Sequence, residues 1–512
     1  MRFLPTITSL GLLGGLLLLG SCKKDFLVEN NPNALPAASY FQSENDVLLA
    51  LNGVYAALRD NSGVAEGSDL YSEQRSDNTG TNDTQSNAGE PFQFNNFSLL
   101  PTNSYLQSHW TALYQIITRA NFVLAGSETV PYGQPTTKAQ YQAEAKFVRA
   151  LIYFRLVREW GDVSLVTQPL TTPDAVLTNT FREKKETVYA QIVKDLQDVI
   201  ASPLPDVQAA ANTGRASKVA ANALLGKVYL TMALTLDQAG RTTNLNQAKT
   251  YLTAAYSKRS FGLLKEIAYA DVFDVSKKAS NPEAIFRIVY RQGDINYSSR
   301  IAANYQAQGE TINSQRTNTG VGGNVKPDLV KDYEAGDLRK DFSIKYANAA
   351  VVKDYFITKY RDVSAAAGTS GYGGNDWLLL RYADVILMLA EVNNYLGDAA
   401  TAIGYLDQVR NRAGLPSYAA ASANPAYSAK YPTLRLAILH ERRVELAFEN
   451  HRWFDLLRTF TPQELTDYFR AKSQADYGAA QLSNFGLKDY YYPIPFNEAK
   501  LNPTGMYQNP GY

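Results

Sequence analysis

The sequence predicts a mostly α-helical fold: a tetratricopeptide-like scaffold of about four helical pairs, with long loop insertions and minor β structure. Three observations predict it. Apolar residues recur at helical spacing in nine segments, consecutive segments share a small-residue pairing pattern, and long polar stretches separate the pairs.

The first helix covers Asp46–Arg59, where Val47, Leu48, Leu51, Val54, Tyr55 and Leu58 fall on one face. Tyr105–Leu124 follows the same rule through Leu106, Trp110, Leu113, Ile116, Ile117 and Phe122. Gln140–Trp160, Glu186–Ile200, Ser217–Leu236, Leu245–Ser257, Trp377–Leu396, Ala399–Arg412 and Leu434–Arg458 complete the set. Pairing is read from small residues that let two helices approach. Leu389-Ala390 is followed by Ala402, Leu406 and Val409, and Leu225-Gly226 with Tyr229 is followed by Ala248, Leu252 and Ala255. Gln140–Ile200 reads as a degenerate unit through Ala150 and Tyr153, and the first two helices as another, split by an insertion. The pairs thus lie within 45–258 and 376–413, in one domain spanning 22–512. Loop-rich insertions occupy 63–103 and 261–375, and Ala284–Tyr290 is the one clear strand-like run. Loops this long on a rigid scaffold are usually functional.

The N-terminus reads as an export signal over residues 1–21: Arg2, then an apolar run Leu10–Leu19, then Leu19-Gly20-Ser21-Cys22. Small residues before the chain's only cysteine predict lipidation of Cys22, with 23–33 as a polar tether. A lipidated Cys22 leaves no thiol for a disulfide or a Cys-ligated metal. The later apolar runs are too short to span a bilayer, so the expected membrane association is an anchor. With 50 basic and 49 acidic residues, no charge excess points to nucleic acid.

Catalytic templates fail. His440-Glu441 finds valine at 444 where a zincin needs its second histidine. Gly-x-Ser-x-Gly and phosphate-loop motifs are absent, and Gly320–Gly323 and Gly371–Gly374 read as turns. Three histidines (His109, His440, His451) make a His-rich metal site unexpected. Asp77–Asp83 carries alternating oxygen ligands without the terminal Glu of a calcium loop. No catalytic residue, cofactor or metal is expected, although a glycosidase needs only two carboxylates, and 49 acids supply many pairs.

Five ordered segments carry a family resemblance: Arg149–Val163; Gly214–Lys218 leading to Ala223–Tyr229; Arg381–Glu391 with Val409–Leu415; Glu441–Leu457; and Tyr492–Pro495 with Asn502-Pro503 and Gln508–Tyr512. Together they resemble the SusD/RagB family across the mature chain. That resemblance implies a surface-exposed outer-membrane lipoprotein. It would capture an oligosaccharide, or in the RagB-like branch an oligopeptide, and serve a SusC-like TonB-dependent transporter. A surface glycoside hydrolase and a purely protein-binding scaffold are the alternatives. The fourth segment and the Arg381–Asp384 turn read as a hydrogen-bond network that fixes the last helix against Trp453.

An extended polar ligand needs flat aromatic faces and a few fixed hydrogen bonds. Candidates are Tyr71, Arg75, Asp77 and Asn78 in the first insertion, and Tyr297 and Arg316 after the strand. Tyr372 and Trp377 flank the Gly-rich loop. Arg75 or Arg316 would anchor an acidic group, although Arg75 and Asp77 could equally pair with each other.

Overall fold

The structure is a computed structural model, and it describes residues 40–80, 86–236, 238–316, 324–347, 352–368 and 370–512. The signal segment, Cys22, the tether, the latter part of the Asp77–Asp83 loop and Gly320–Gly323 lie outside the described residues.

Six long helices frame the first half: α1 (Glu44–Ala57), α2 (Ser104–Gly126), α3 (Pro135–Trp160), α4 (Lys185–Ala201), α5 (Lys218–Thr235) and α6 (Arg241–Tyr256). Three of their starts are capped by side chains. Ser43 and Asp46 form a reciprocal capping box on α1, Asn103 accepts the Leu106 amide at 3.0 Å, and Ser217 accepts the Ala220 amide at 3.2 Å. Pairing follows the small residues. At Gly226 in α5 an added Cβ would meet Leu252 Cγ of α6 at 2.5 Å, so only glycine permits this approach. Ala248, Leu252 and Ala255 are fully buried against it. Trp110, Tyr153 and Trp160 fill the joint between α2 and α3 in the main core.

The second half differs from expectation at two places. Trp377–Arg381 is a strand, β2, antiparallel to β1 (Ala284–Ile288) with Ile288 opposite Trp377 and Ala284 opposite Arg381. The helix α7 begins only at Tyr382 and runs to Tyr395. Four of the five β2 residues are buried, so the run shows no alternation, and periodicity cannot separate such a strand from a buried helix turn. Its partner α8 (Ala399–Arg412) packs through Ala402, Leu406 and Val409 as expected.

The last long helix is broken into α9 (Leu434–Glu445) and α10 (Arg452–Thr459). Between them Phe448 and Asn450 take left-handed φ values of 67° and 62°. The break follows from competition for carbonyls: Glu445 O accepts from Arg381 at 2.9 Å, Ala447 O from Lys359 at 2.8 Å, and Phe448 O from Tyr360 at 3.1 Å. Side chains from other segments thus take the bonds that a continuous helix would keep.

Candidate functional site

The motif-rich C-terminal segment builds a buried ion network. Arg381 donates to Glu283 at 2.6 Å, Glu445 at 2.7 Å and Glu449 at 2.7 Å. Arg442 joins Asp384 at 2.7 Å and Asp455 at 2.9 Å, and Arg339 joins Glu441 at 2.6 Å. Burial opposes ionisation of Glu445, but Arg412, Arg381 and Arg339 together hold its carboxyl far below the usual range. Most of these groups' polar atoms satisfy one another inside the protein, which is a structural role.

The same network absorbs most of the first insertion's candidates, and the burial corrects their assignment. Arg75 has no exposed surface; it donates to Asp489 O at 2.8 Å and lies against the Trp453 and Tyr492 rings at 5.1 and 4.8 Å. Asp77 is gripped by Arg452 at 2.7 Å, Lys472 at 3.0 Å and the Tyr468 hydroxyl at 2.7 Å. Arg75 and Asp77 therefore do not pair with each other. Asn78 bridges Glu73 at 2.8 Å and Arg443 at 2.9 Å. Tyr71 stacks on His109 with centroids 3.9 Å apart, and Trp377 packs on Tyr360 at 5.7 Å. Phe94 and Phe97 are core residues as well. A ring or fork with no exposed face cannot stack on or clasp a ligand.

The remaining three candidates are brought together on one accessible face. The 291–300 segment lies along the Gly-rich loop: Gly293 N donates to Tyr372 O at 2.8 Å, and Ser299 and Gly373 exchange backbone bonds at 2.8 and 2.9 Å. Tyr297 is 48% exposed at the outer bend of that segment. Tyr372 is half-buried, and Arg316 is exposed and donates to Ser370 O at 3.2 Å. Gly371 (φ 75°) makes the junction possible, since a Cβ there would sit 2.8 Å from that of Ala303.

Two further arginines complete this face. Arg59, just past the end of α1, places its guanidinium 5.0 Å from the Tyr297 ring centre, and Arg300 stands 4.7 Å over Tyr372. Glu66 is buried beneath them; it accepts the Arg300 amide at 2.6 Å and the Ser299 hydroxyl. Burial pushes the Glu66 carboxyl up to about 7, against the pull of those two bonds. Arg59 closes the apolar stripe of the first helix, which gave it the look of an ordinary solvated helix end. Glu66 carried no signal in the sequence.

Comparison with known proteins decides the family. A model described as the SusD family matches residues 343–512, and one described as starch-binding associating with outer membrane matches 25–230. The chain belongs to the SusD/RagB family. Among its relatives, SusD-like protein P2 of Formosa agariphila is 28% identical over 95% of this chain and 96% of its own. A SusD-like protein of Bacteroides ovatus is 25% identical over 74% of this chain and 70% of its own. A solved laminarin binding SusD-like protein superposes with a TM-score of 0.74 at 28% identity, covering 92% of this chain and all of that one. Surface glycan-binding protein A from Bacteroides thetaiotaomicron shares the fold at TM-score 0.72 and 18% identity, covering 93% of this chain and all of its own. The mostly helical scaffold expected from periodicity is thus adopted, and it is the one these SusD-like structures share. Among the described residues no helix is long and apolar enough to cross a membrane.

Proposed function

We propose that this SusD/RagB chain is an outer-membrane surface lipoprotein, anchored through Cys22, that captures a glycan without cleaving it and passes it to a SusC-like TonB-dependent transporter. The observation that carries the reading is the Tyr297–Tyr372 face. Two aromatic rings, three arginines (Arg59, Arg300, Arg316) and a buried carboxyl brace converge there from three separate segments. Rings offer flat apolar surface to sugar C–H faces, and guanidinium forks fix hydroxyl or acidic substituents. The laminarin-binding relative and the outer-membrane description of the matching model support the same role. Glu66 sits under the face and is spent on holding the loop, which favours binding over acid–base chemistry.

The test is calorimetric titration of the full chain in detergent with a panel of oligosaccharides and oligopeptides, with product analysis on each sample. Saccharide binding that weakens at least tenfold in Tyr297→Ala, with no products, is the expected result. Cleaved products, or peptides as the only ligands, overturn it.

A further inference from the structure

A trough leads away from the Tyr297 face along α1. Asn52, Tyr55, Ala56 and Arg59 recur at helical spacing and form one wall of a cavity of about 270 Å³. From Asn52 to Arg59 that wall is about 10 Å long, the span of about two sugar rings. Arg59 stands at its mouth, in contact with Tyr297. The opposite side is Thr213, Gly214 and Arg215, whose guanidinium reaches across to Asn52 Oδ1 at 3.2 Å, and β1 adds Arg287 and Ile288. Beyond Gly214 a second cavity of about 330 Å³ continues past Gln208, Lys258 and Asn281, sharing Thr213, Gly214, Arg215 and Arg287 with the first. Gly214 (φ 87°) is the saddle between them. A Cβ there would meet Val289 Cγ2 at 2.7 Å, so the loop can lie this low only as glycine.

The lining carries one sign of charge. Arg59, Arg215, Lys258 and Arg287 line the two cavities, and no aspartate or glutamate among the described residues does. The acids that face three of these cations lie outside the lining: Glu144 3.3 Å from Arg215, Asp206 2.6 Å from Lys258 and Asp376 3.3 Å from Arg287. Glu144 is itself buried and shared with the Tyr55 hydroxyl at 2.7 Å, and burial raises its carboxyl. Arg59 pairs with the Tyr297 ring and with no carboxylate among the described residues. With the other three cations paired, the Arg59 guanidinium carries the trough's attraction for a ligand of opposite charge.

We infer that this trough is an extended subsite that threads an acidic oligosaccharide, with a carboxylate or sulfate on its rings, from the Tyr297 face past Arg59 and Arg215. The inference rests on the capture reading above and names its ligand class. Tyr297 and Tyr372 hold the leading rings, and the trough takes those that follow. Affinity therefore depends on chain length and on charge, and it falls as salt screens the arginines.

The test titrates the full chain with hexamers and dimers of galacturonate, and with hexamers of mannuronate and of a sulfated galactan. Each hexamer is run beside its carboxyl-reduced or desulfated counterpart. Ala56→Trp fills the trough from an exposed position, and Arg59→Ala removes its entry cation. At least one acidic hexamer is expected to bind ten times or more tighter than its neutral counterpart. Arg59→Ala should erase most of that preference, and Ala56→Trp should reduce a hexamer to the affinity of a dimer. Equal binding of charged and neutral hexamers sinks the inference while leaving capture intact, provided Tyr297→Ala still weakens both. So does an Ala56→Trp variant that keeps full hexamer affinity. If the unaltered chain binds no saccharide, the capture reading falls with it.

Discussion

Asp77 offers the sharpest separation of structure from binding. Its carboxylate is fully buried and accepts from Arg452 at 2.7 and 3.0 Å, from Lys472 at 3.0 Å and from the Tyr468 hydroxyl at 2.7 Å. Asp77→Ala leaves Arg452, Lys472 and the nearby Arg443 facing one another with one acid fewer. Removing one partner from a buried ion cluster costs about 3–5 kcal/mol. The unfolding entropy of a chain this size is on the order of 1 kcal/mol/K, so the melting midpoint should drop by about 3–5 °C. The pH dependence has a definite sign. Burial raises the Asp77 carboxyl, but Arg443, Arg452 and Lys472 outweigh it and hold it well below the ordinary 3.8. A depressed acid contributes stability that is fully present above its ordinary range and is lost as pH falls through its folded value. The variant should therefore melt low at pH 7 and lose less than the parent on going to pH 3. Differential scanning calorimetry at the two pH values, with glycan titration of the folded variant at pH 7, reads both effects. A variant that melts within a degree of the parent yet no longer binds glycan would refute the buried-network reading and restore Asp77 as a ligand contact.

Tyr297→Ala should leave the melting midpoint unchanged, because the ring is 48% exposed, while calorimetry shows its loss in glycan affinity. Glu66, pushed up to about 7, favours a protonated native state; its contribution is present below the ordinary 4.5 and is lost as pH rises through about 7. Hydrogen exchange at the 299–300 amides, corrected for intrinsic rate, should speed up between pH 6 and 8.5 as Glu66 ionises opposite Ser299, Arg300 and Tyr290. Glu66→Gln should flatten that change. Gly226→Val forces α5 from α6 and should cost about 1–3 kcal/mol, read by chemical denaturation. Cys22→Ser should release the chain from the membrane fraction on cell fractionation; a variant still retained there argues against the lipid anchor.

The helices were legible because burial of one face imposes a period that any window of the chain displays, as in Val47, Leu51 and Val54. Helix pairing was legible at Gly226 and Ala402 because close approach demands small residues. Arg75, Asp77 and Asn78 were misread for a different reason. Polar residues in a polar stretch look solvated, and their partners lie far along the chain: Asp489 is 414 residues from Arg75, and Arg452 is 375 from Asp77. No local window contains that information. Tyr297, Tyr372 and Arg316 lie at the surface, where polar connecting segments run, and that is a property a local window can show. Arg59 and Glu66 act through contacts across segments and left no trace in spacing.

The long reach of those buried pairs bears on how the protein comes to exist. Arg75 waits for Asp489; Arg182 waits for the carbonyl of Tyr507 at 2.7 Å and the side chain of Asn509 at 2.7 Å; Glu159 O waits for Tyr492 N at 2.7 Å. Arg75 thus lacks its carboxylate, and Arg182 two of its four acceptors, until residues 489–509 arrive. A chain made from its N-terminus stays pliable at these joints until that segment is present. A copy cut short near the C-terminus keeps stranded arginines inside and remains open to proteases. Completion of the fold doubles as a check that this C-terminal segment has been made.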